Sequence, residues 1–414
     1  MRALSALLVA FIFVTAAAVP VTGITPAPDR SMPSETTPLR VDTVNDTTNQ
    51  LTVPDEEVSA STYQDAGVDV GTAVQAGSTR LHRRQEALAF QERFRRADSS
   101  TRRTALINDE LTEIQRRQSA LDDRQDTAIQ RFAAGEITAR QFLSVRLMVH
   151  AEAAELLDTL DRISAAPDTV TGYSLSSTLS MRLRNAEGEL RTLTGPVGQQ
   201  LHATTTNSGT TSVTYLEASP DSYLLATVGE NQYVREARLD GERDPDGADE
   251  FLQDAQDAEG LDRFNAADER AASLYEWLYE RQRPSFTYYG TTGIYELTAD
   301  HPDGQLTAYI DGSTTNVFYE AQHRNLADVQ MTATETAVTD SLQVTVQRSS
   351  RSGPMLVTLT DADTGEPVDG TVTINGYRFG TTGNDGALWT VEPRGAYTVN
   401  ATADGTGPTV SVPA

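Results

Sequence analysis

Five histidines, His82, His150, His202, His301 and His323, are scattered through a chain of 414 residues that contains no cysteine. A transition-metal centre needs three or four N and S ligands at suitable spacing, and no H-x-x-x-H or comparable pair occurs among the five. Without cysteine there is no thiolate nucleophile, no disulfide and no lipid-modified cysteine. There is also no G-x-S-x-G elbow and no glycine loop of the kind that cradles phosphate. Adjacent carboxylates such as Asp122-Asp123 and Asp268-Glu269 recur, but acid–base chemistry requires an environment that raises one pKa. With 59 Asp plus Glu in the chain, a solvated acidic face accounts for such pairs. The expectation is a protein without catalytic activity, with no catalytic, cofactor-binding or metal-ligating residue and no cofactor.

Two constellations remain. Asp361, Asp363 and Glu366, with Asp385 in a nearby turn, offer the clustered oxygens that calcium takes. The loop lacks the alternation of an EF-hand, so a hairpin turn is the favoured reading. Trp277 with Tyr275, Tyr279, Tyr288 and Tyr289 concentrates rings in a chain that is 7% aromatic. Packing between helix and sheet is the ordinary explanation. The functional one is a surface for a glycan or peptide built on Trp277, Tyr279, Tyr288 and Tyr289, because such side chains anchor interfaces. Asn45-Asp46-Thr47 and Asn400-Ala401-Thr402 fit the N-glycosylation sequon, making Asn45 and Asn400 candidate modification positions.

The charge pattern says where such a chain works. All 33 basic side chains are arginine, and the formal net charge is −26. Carboxylates hold water and hydrated cations, while guanidinium still pairs them where an ammonium would be strongly hydrated. This habit resembles that of haloarchaeal proteins and implies solubility in molar salt. Nucleic acid is excluded as an expected partner by the acidic whole. Arg2, the apolar run Ala3–Val19 and the small residues Ala16-Ala17-Ala18 before Gly23 read as a secretory signal over 1–23, with an uncleaved anchor as the alternative. The expected location is extracellular or at the cell surface, with membrane contact only if that segment is retained. The expected partners are another cell-surface protein or a glycan.

Composition and periodicity divide the rest. Residues 24–62, rich in Thr, Pro and Ser, carry too few apolar side chains to offset ordering entropy and read as a disordered stalk. Residues 63–205 are helical. Ile107, Leu111, Ile114, Gln118, Leu121, Gln125, Ala128 and Phe132 keep 4-3 spacing, a heptad seam with two polar interruptions. Gly135 stops it, and Thr138-Ala139-Arg140-Gln141 offers a capping box. Between Arg80 and Ala165 there are 15 Arg and 14 Asp plus Glu, so these helices are laced by ion pairs rather than tuned for solvation. From residue 206 the period turns to two, and strands, one helix ended by Pro284 and a strand meander follow to 327. Residues 328–414 are short strands between Gly, Pro and Asp turns.

The middle segment Leu306-Thr307-Ala308-Tyr309-Ile310-Asp311-Gly312-Ser313-Thr314-Thr315-Asn316-Val317-Phe318-Tyr319-Glu320 resembles the strand, Asp-x-x-Thr-Gly turn and strand of PepSY-like domains, with Asn316 in place of that glycine. The resemblance implies a small α/β domain that binds or restrains a partner. Asp361-Ala362-Asp363-Thr364-Gly365-Glu366-Pro367-Val368-Asp369-Gly370, Thr381-Thr382-Gly383-Asn384-Asp385-Gly386 and Gly395-Ala396-Tyr397-Thr398-Val399-Asn400-Ala401 resemble, in order, the turns and closing strand of carboxypeptidase-regulatory-like domains. That likeness implies a seven-strand immunoglobulin-like spacer without peptidase activity. As a whole the chain resembles a class of haloarchaeal secreted and surface proteins. The expected fold is multidomain α+β: an N-terminal antiparallel helical bundle or coiled coil, a middle α/β meander domain and a C-terminal immunoglobulin-like β-sandwich. The expected role is a binding or spacer module. The alternatives are an inhibitor-like modulator of an extracellular peptidase, or an enzyme with its site in the middle domain.

Overall fold

The computed structural model describes residues 50–65, 70–206, 213–229, 231–253 and 261–413. The signal-like run, residues 24–49 of the expected stalk and Asn45 lie outside them. The remainder of that stalk is built into the fold. Leu51 and Val53 are fully buried, and Ala60–Asp65 forms strand β1. Two apolar residues spaced by two suffice to bury a segment once a sheet lies beside it, and composition alone did not show that sheet.

Five helices follow: α1 (Val70–Arg96), α2 (Ser100–Ala133), α3 (Ala139–Ala165), α4 (Ser177–Thr192) and α5 (Pro196–Thr206). Ser99 caps α2 by accepting from the Arg102 N–H. Thr138 Oγ1 accepts from the Gln141 N–H while the Thr138 N–H donates to Gln141 Oε1 at 2.9 Å, so the capping box is formed. Gly135, at φ +71°, turns the chain between α2 and α3. The seam of α2 serves two cores. Ile107, Leu111, Ile114 and Leu121 pack with Phe90 and Phe94 of α1, Val149 and Leu156 of α3 and Leu183 and Leu190 of α4. Ala128 and Phe132 join Phe142 and Leu147 of α3 against a sheet. Pairs such as Arg116–Glu113 at 2.6 Å and Arg191–Glu187 at 2.8 Å lace the outer faces, where solvent and salt screen them.

Strands β2 (Val213–Ser219), β3 (Ser222–Val228), β4 (Gln232–Leu239), β5 (Ser285–Tyr288), β6 (Ile294–His301), β7 (Gly304–Asp311) and β8 (Val317–Asn325) join β1 in one antiparallel sheet. Its order is β1-β2-β3-β4-β8-β7-β6-β5. The first strand, expected within the helical region or the stalk, thus belongs to the sheet. Its centre is covered on both sides, which is why β3 reads as an unbroken apolar run. Tyr223 and Leu225 face α2, α3 and α5. Leu224 and Ala226 face the opposite layer, where the short α6 (Glu250–Gln253), α7 (Leu261–Leu274) and α8 (Glu276–Tyr279) lie. The hairpin from β6 to β7 pairs His301 with Gly304, so its two turn residues are Pro302 and Asp303.

The C-terminal region is all β. Strands β9 (Ala333–Val338), β10 (Leu342–Arg348), β11 (Pro354–Asp361), β12 (Thr371–Ile374), β13 (Tyr377–Thr381), β14 (Ala387–Val391), β15 (Tyr397–Thr402) and β16 (Thr409–Val412) form two four-stranded sheets, β14-β11-β10-β9 and β13-β12-β15-β16. That is eight strands where seven were implied. Val344, Val346, Val357, Leu359, Val372, Ile374, Val399 and Ala401, at alternate positions, share one core between the sheets.

Candidate functional site

The four aromatic residues singled out by sequence do not form one surface. Tyr289 is 5% exposed and belongs to a cluster with Tyr309, Phe318 and Tyr319. Its hydroxyl donates to Glu296. Gly188 of α4 permits the approach, since a Cβ there would lie 2.4 Å from that of Tyr289. Tyr288, one residue earlier, turns to the other face of the sheet under the Arg263 guanidinium, 4.6 Å above its ring. Period-two alternation separates the neighbours. Trp277, Tyr279 and Tyr288 are half-buried against the core between sheet and α7. Tyr279 donates to Asp268 at 2.8 Å. The Trp277 ring meets His301 edge-on at 5.5 Å, and neither Trp277 Nε1 nor His301 Nε2, both covered, has a hydrogen-bond partner. Burial lowers the His301 pKa, and the charge of Arg324 lowers it further. Trp277 and His301 thus meet at one end of β6, whereas Tyr288 pairs with Tyr295 near its other end.

The strongest chemistry in the molecule is internal. On the helical side of the sheet, Arg146 of α3 and Glu236 of β4 are both within 1% of complete burial, with Nε to Oε1 at 2.8 Å. Arg146 Nη1 also donates to the carbonyl of Leu193 at 2.8 Å, which caps the C-terminus of α4. Glu236 Oε2 accepts from the Val197 N–H at 3.2 Å, in the first turn of α5. Cation at a C-terminus and anion at an N-terminus each complement the helix dipole, so one ion pair seals the α4–α5 corner. His150 closes it by accepting from the Gly195 N–H at 3.3 Å. Burial holds its pKa down to about 3, so it stays neutral.

On the opposite side, Arg235 and Glu320 are fully buried with Nη1 to Oε1 at 2.9 Å. Glu320 Oε2 accepts from the Tyr275 hydroxyl at 2.7 Å and from the Leu51 N–H at 2.9 Å, and Arg235 donates to the Leu51 carbonyl. The backbone of Leu51 is thus held on both its polar groups by one ion pair. A third junction ties the C-terminal sheets to the eight-stranded sheet. The Tyr215 hydroxyl donates to Glu217 Oε1 at 2.7 Å and accepts from the Arg394 N–H at 3.0 Å. Ser352 Oγ donates to the same Glu217 oxygen at 3.2 Å. Tyr63 donates to the Val391 carbonyl at 2.8 Å, and the Asp55 carboxylate bridges Arg351 and Arg394.

The calcium candidates are occupied locally. Asp361 Oδ1 accepts from the Asp363 N–H at 3.0 Å, the Thr364 N–H at 2.8 Å and Thr364 Oγ1 at 3.0 Å, the bonding of a side-chain-capped turn. Asp385 accepts from the Ala387 N–H at 3.3 Å. Among the described residues no group of three or more His, Cys, Asp or Glu is arranged to hold a metal ion. Asn400 lies in β15 between Thr373 and Thr409, half-buried on the outer side of its sheet.

Asp122 and Asp126 of α2 face Arg238 and Asp240. Desolvation pushes the Asp126 carboxyl up to about 6, with the Asp240 charge adding to it. Because the folded-state value is raised, the folded protein holds this proton between about pH 4 and 6 where the unfolded chain has lost it. Stability from this site is therefore gained as pH falls through that window, and a constant penalty persists above it. Asp126→Asn should raise stability by about 1 kcal/mol at pH 7, discounted for partial solvent exposure. That advantage should vanish below pH 4. Thermal midpoints followed against pH check this, and an unchanged midpoint at pH 7 would contradict it.

None of the three buried junctions was among the residues chosen from sequence. A usable signal was present: Arg235-Glu236 sits inside Tyr233-Val234-Arg235-Glu236-Ala237, where opposite charges occupy both faces of an otherwise apolar strand. No curated protein and no solved structure matches the chain. Residues 214–330 match a family of unknown function (DUF7094), the stretch whose likeness to PepSY domains was noted above. Residues 333–410 match the archaeal fibronectin-III type-like domain, in accord with an archaeal chain carrying an immunoglobulin-type C-terminal fold. Residues 1–211, half of the chain, match the domain of unknown function DUF7096, and the protein belongs to that family.

Proposed function

We propose that the protein is an exported, non-catalytic module of a haloarchaeal cell surface that binds a surface protein or glycan and holds it at a fixed distance. The observation that carries this reading is the polar seam of Tyr63, Tyr215, Glu217, Ser352, Asp55, Arg351 and Arg394. It fixes the C-terminal sandwich, read as immunoglobulin-like, to the central sheet, so the antiparallel helical bundle, sheet and sandwich act as one rigid spacer. A flexible tether would need no such seam. An enzyme with its site in the middle domain would need polar groups converging on a deep pocket, and Tyr275–Tyr295 is the stretch that would line it. Tyr275 and Tyr295 are instead fully buried and bonded to Glu320 and Asp249. The binding surface assigned is the ledge of Trp277 with its neighbour Tyr279, both half-buried at the edge of the core, because aromatic side chains anchor interfaces.

The test is cross-linking on intact cells in molar salt with carboxylate-reactive reagents, since the chain has no lysine. One stoichiometric partner is expected, and Trp277→Ala should cut its capture at least about tenfold, the effect of losing an aromatic anchor. Wild-type protein recovered alone would overturn the binding reading. The question would then return to a peptidase modulator or a site in the middle domain.

A further inference from the structure

Helix α1 turns Ala87, Phe90 and Phe94 inward, each no more than 3% exposed. Its opposite side carries Val74, Leu81 and Leu88, exposed by 66%, 64% and 59%. These three are half of the exposed large hydrophobic side chains among the described residues. They are spaced by seven residues, so they form one straight stripe along about 21 Å of helix. Seven-residue spacing is the repeat by which one helix lies along another.

The charge along α1 is divided. Val70–Thr79 contains no charged residue, whereas Arg80–Arg96 contains six arginines and only Glu86 and Glu92. A parallel pair of α1 helices would set one arginine-rich half on the other. An antiparallel pair sets each arginine-rich half on an uncharged half. With the twofold axis at Leu81, Val74 meets Leu88, and the small Gly77 and Ser78 lie opposite the long Gln85 and Arg84. We propose that a second copy of this chain covers the stripe, through an antiparallel α1–α1 contact centred on Leu81. Burial of the apolar stripe drives the contact, and the long-range repulsion between two copies of net charge −26 is screened in molar salt, where the Debye length is about 3 Å, so the dimer is a high-salt state. This inference is independent of the ledge at Trp277.

The chain's lack of cysteine makes the register directly readable. In molar KCl the full chain is expected to sediment as a dimer and Leu81→Glu as a monomer with unchanged circular dichroism. Leu81→Cys, treated with a mild two-electron oxidant such as copper phenanthroline with oxygen, forms a disulfide to its own copy as two thiols lose two electrons and two protons. Val74→Cys alone should link far less, and mixed with Leu88→Cys it should give the heterodimer. A monomeric wild type in molar salt overturns the proposal. So does a dimer that survives Leu81→Glu, or self-linking of Val74→Cys faster than that of Leu81→Cys, which would mean a parallel or different contact.

Discussion

Glu320→Ala is expected to lower the unfolding free energy by about 4 kcal/mol, among the largest single losses in the molecule. The substitution leaves the Arg235 guanidinium fully buried without its counter-ion. It also strips acceptors from the Leu51 N–H and the Tyr275 hydroxyl, which donate to Glu320 at 2.9 and 2.7 Å. An uncompensated buried cation, not the lost attraction, sets the magnitude. The double substitution Arg235→Met with Glu320→Leu removes both charges and should recover most of the loss, ending within about 2 kcal/mol of the wild type. Equilibrium urea unfolding at fixed molar salt measures all three variants. A single-variant loss under 1 kcal/mol would show that water reaches Arg235, contrary to its burial.

Gly195→Ala should cost about 3 kcal/mol although it adds one methyl group. A Cβ at this position would lie 2.0 Å from Glu236 Oε2 and 2.3 Å from the Tyr319 hydroxyl. Both are pinned: Glu236 by Arg146 at 2.8 Å, and Tyr319 by donation to the Thr194 carbonyl at 2.9 Å. The methyl must therefore displace the carboxylate that stands at the start of α5. Tyr319→Phe removes one of the two obstacles, so in the same urea titrations the pair should cost less than the sum of its parts. Additive costs would mean that α5 moves as a body and leaves the ion pair untouched.

Local signals in the sequence were legible where the physics is local. The capping box at Thr138 and Gln141, the stop at Gly135 and the switch from helical to alternating periodicity after residue 206 depend on residues within a turn or strand of one another. The limits of that reading are equally specific. Leu51 and Val53 looked like stray apolar residues in a stalk because what holds them is distant in sequence: Glu320 and Arg235 at the Leu51 backbone, Arg394 at the Val53 carbonyl. Trp277, Tyr279, Tyr288 and Tyr289 were grouped by proximity in the chain, yet the strand parity separates Tyr289 from Tyr288. Arg235 and Glu236 show a charged pair inside an apolar strand but not that both are buried, because which faces of a strand are covered is decided by layers contributed from elsewhere. The eighth strand of the C-terminal sheets follows from how short strands pair across two sheets, which composition does not encode.

The hold on Leu51 has a mechanical meaning. Tension applied to the chain at residue 50 reaches a backbone whose N–H and C=O are both gripped by side chains of the two central strands, β4 and β8. Asp55, four residues on, grips the sandwich through Arg351 and Arg394. Load is thus handed to the middle of the sheet and to the C-terminal body before it reaches β1, which lies at the sheet's edge and would otherwise peel away one hydrogen bond at a time. The helices α1 to α5 follow this grip in the chain. A chain so anchored meets tension at residue 50 with buried ion pairs and backbone grips rather than with an edge strand.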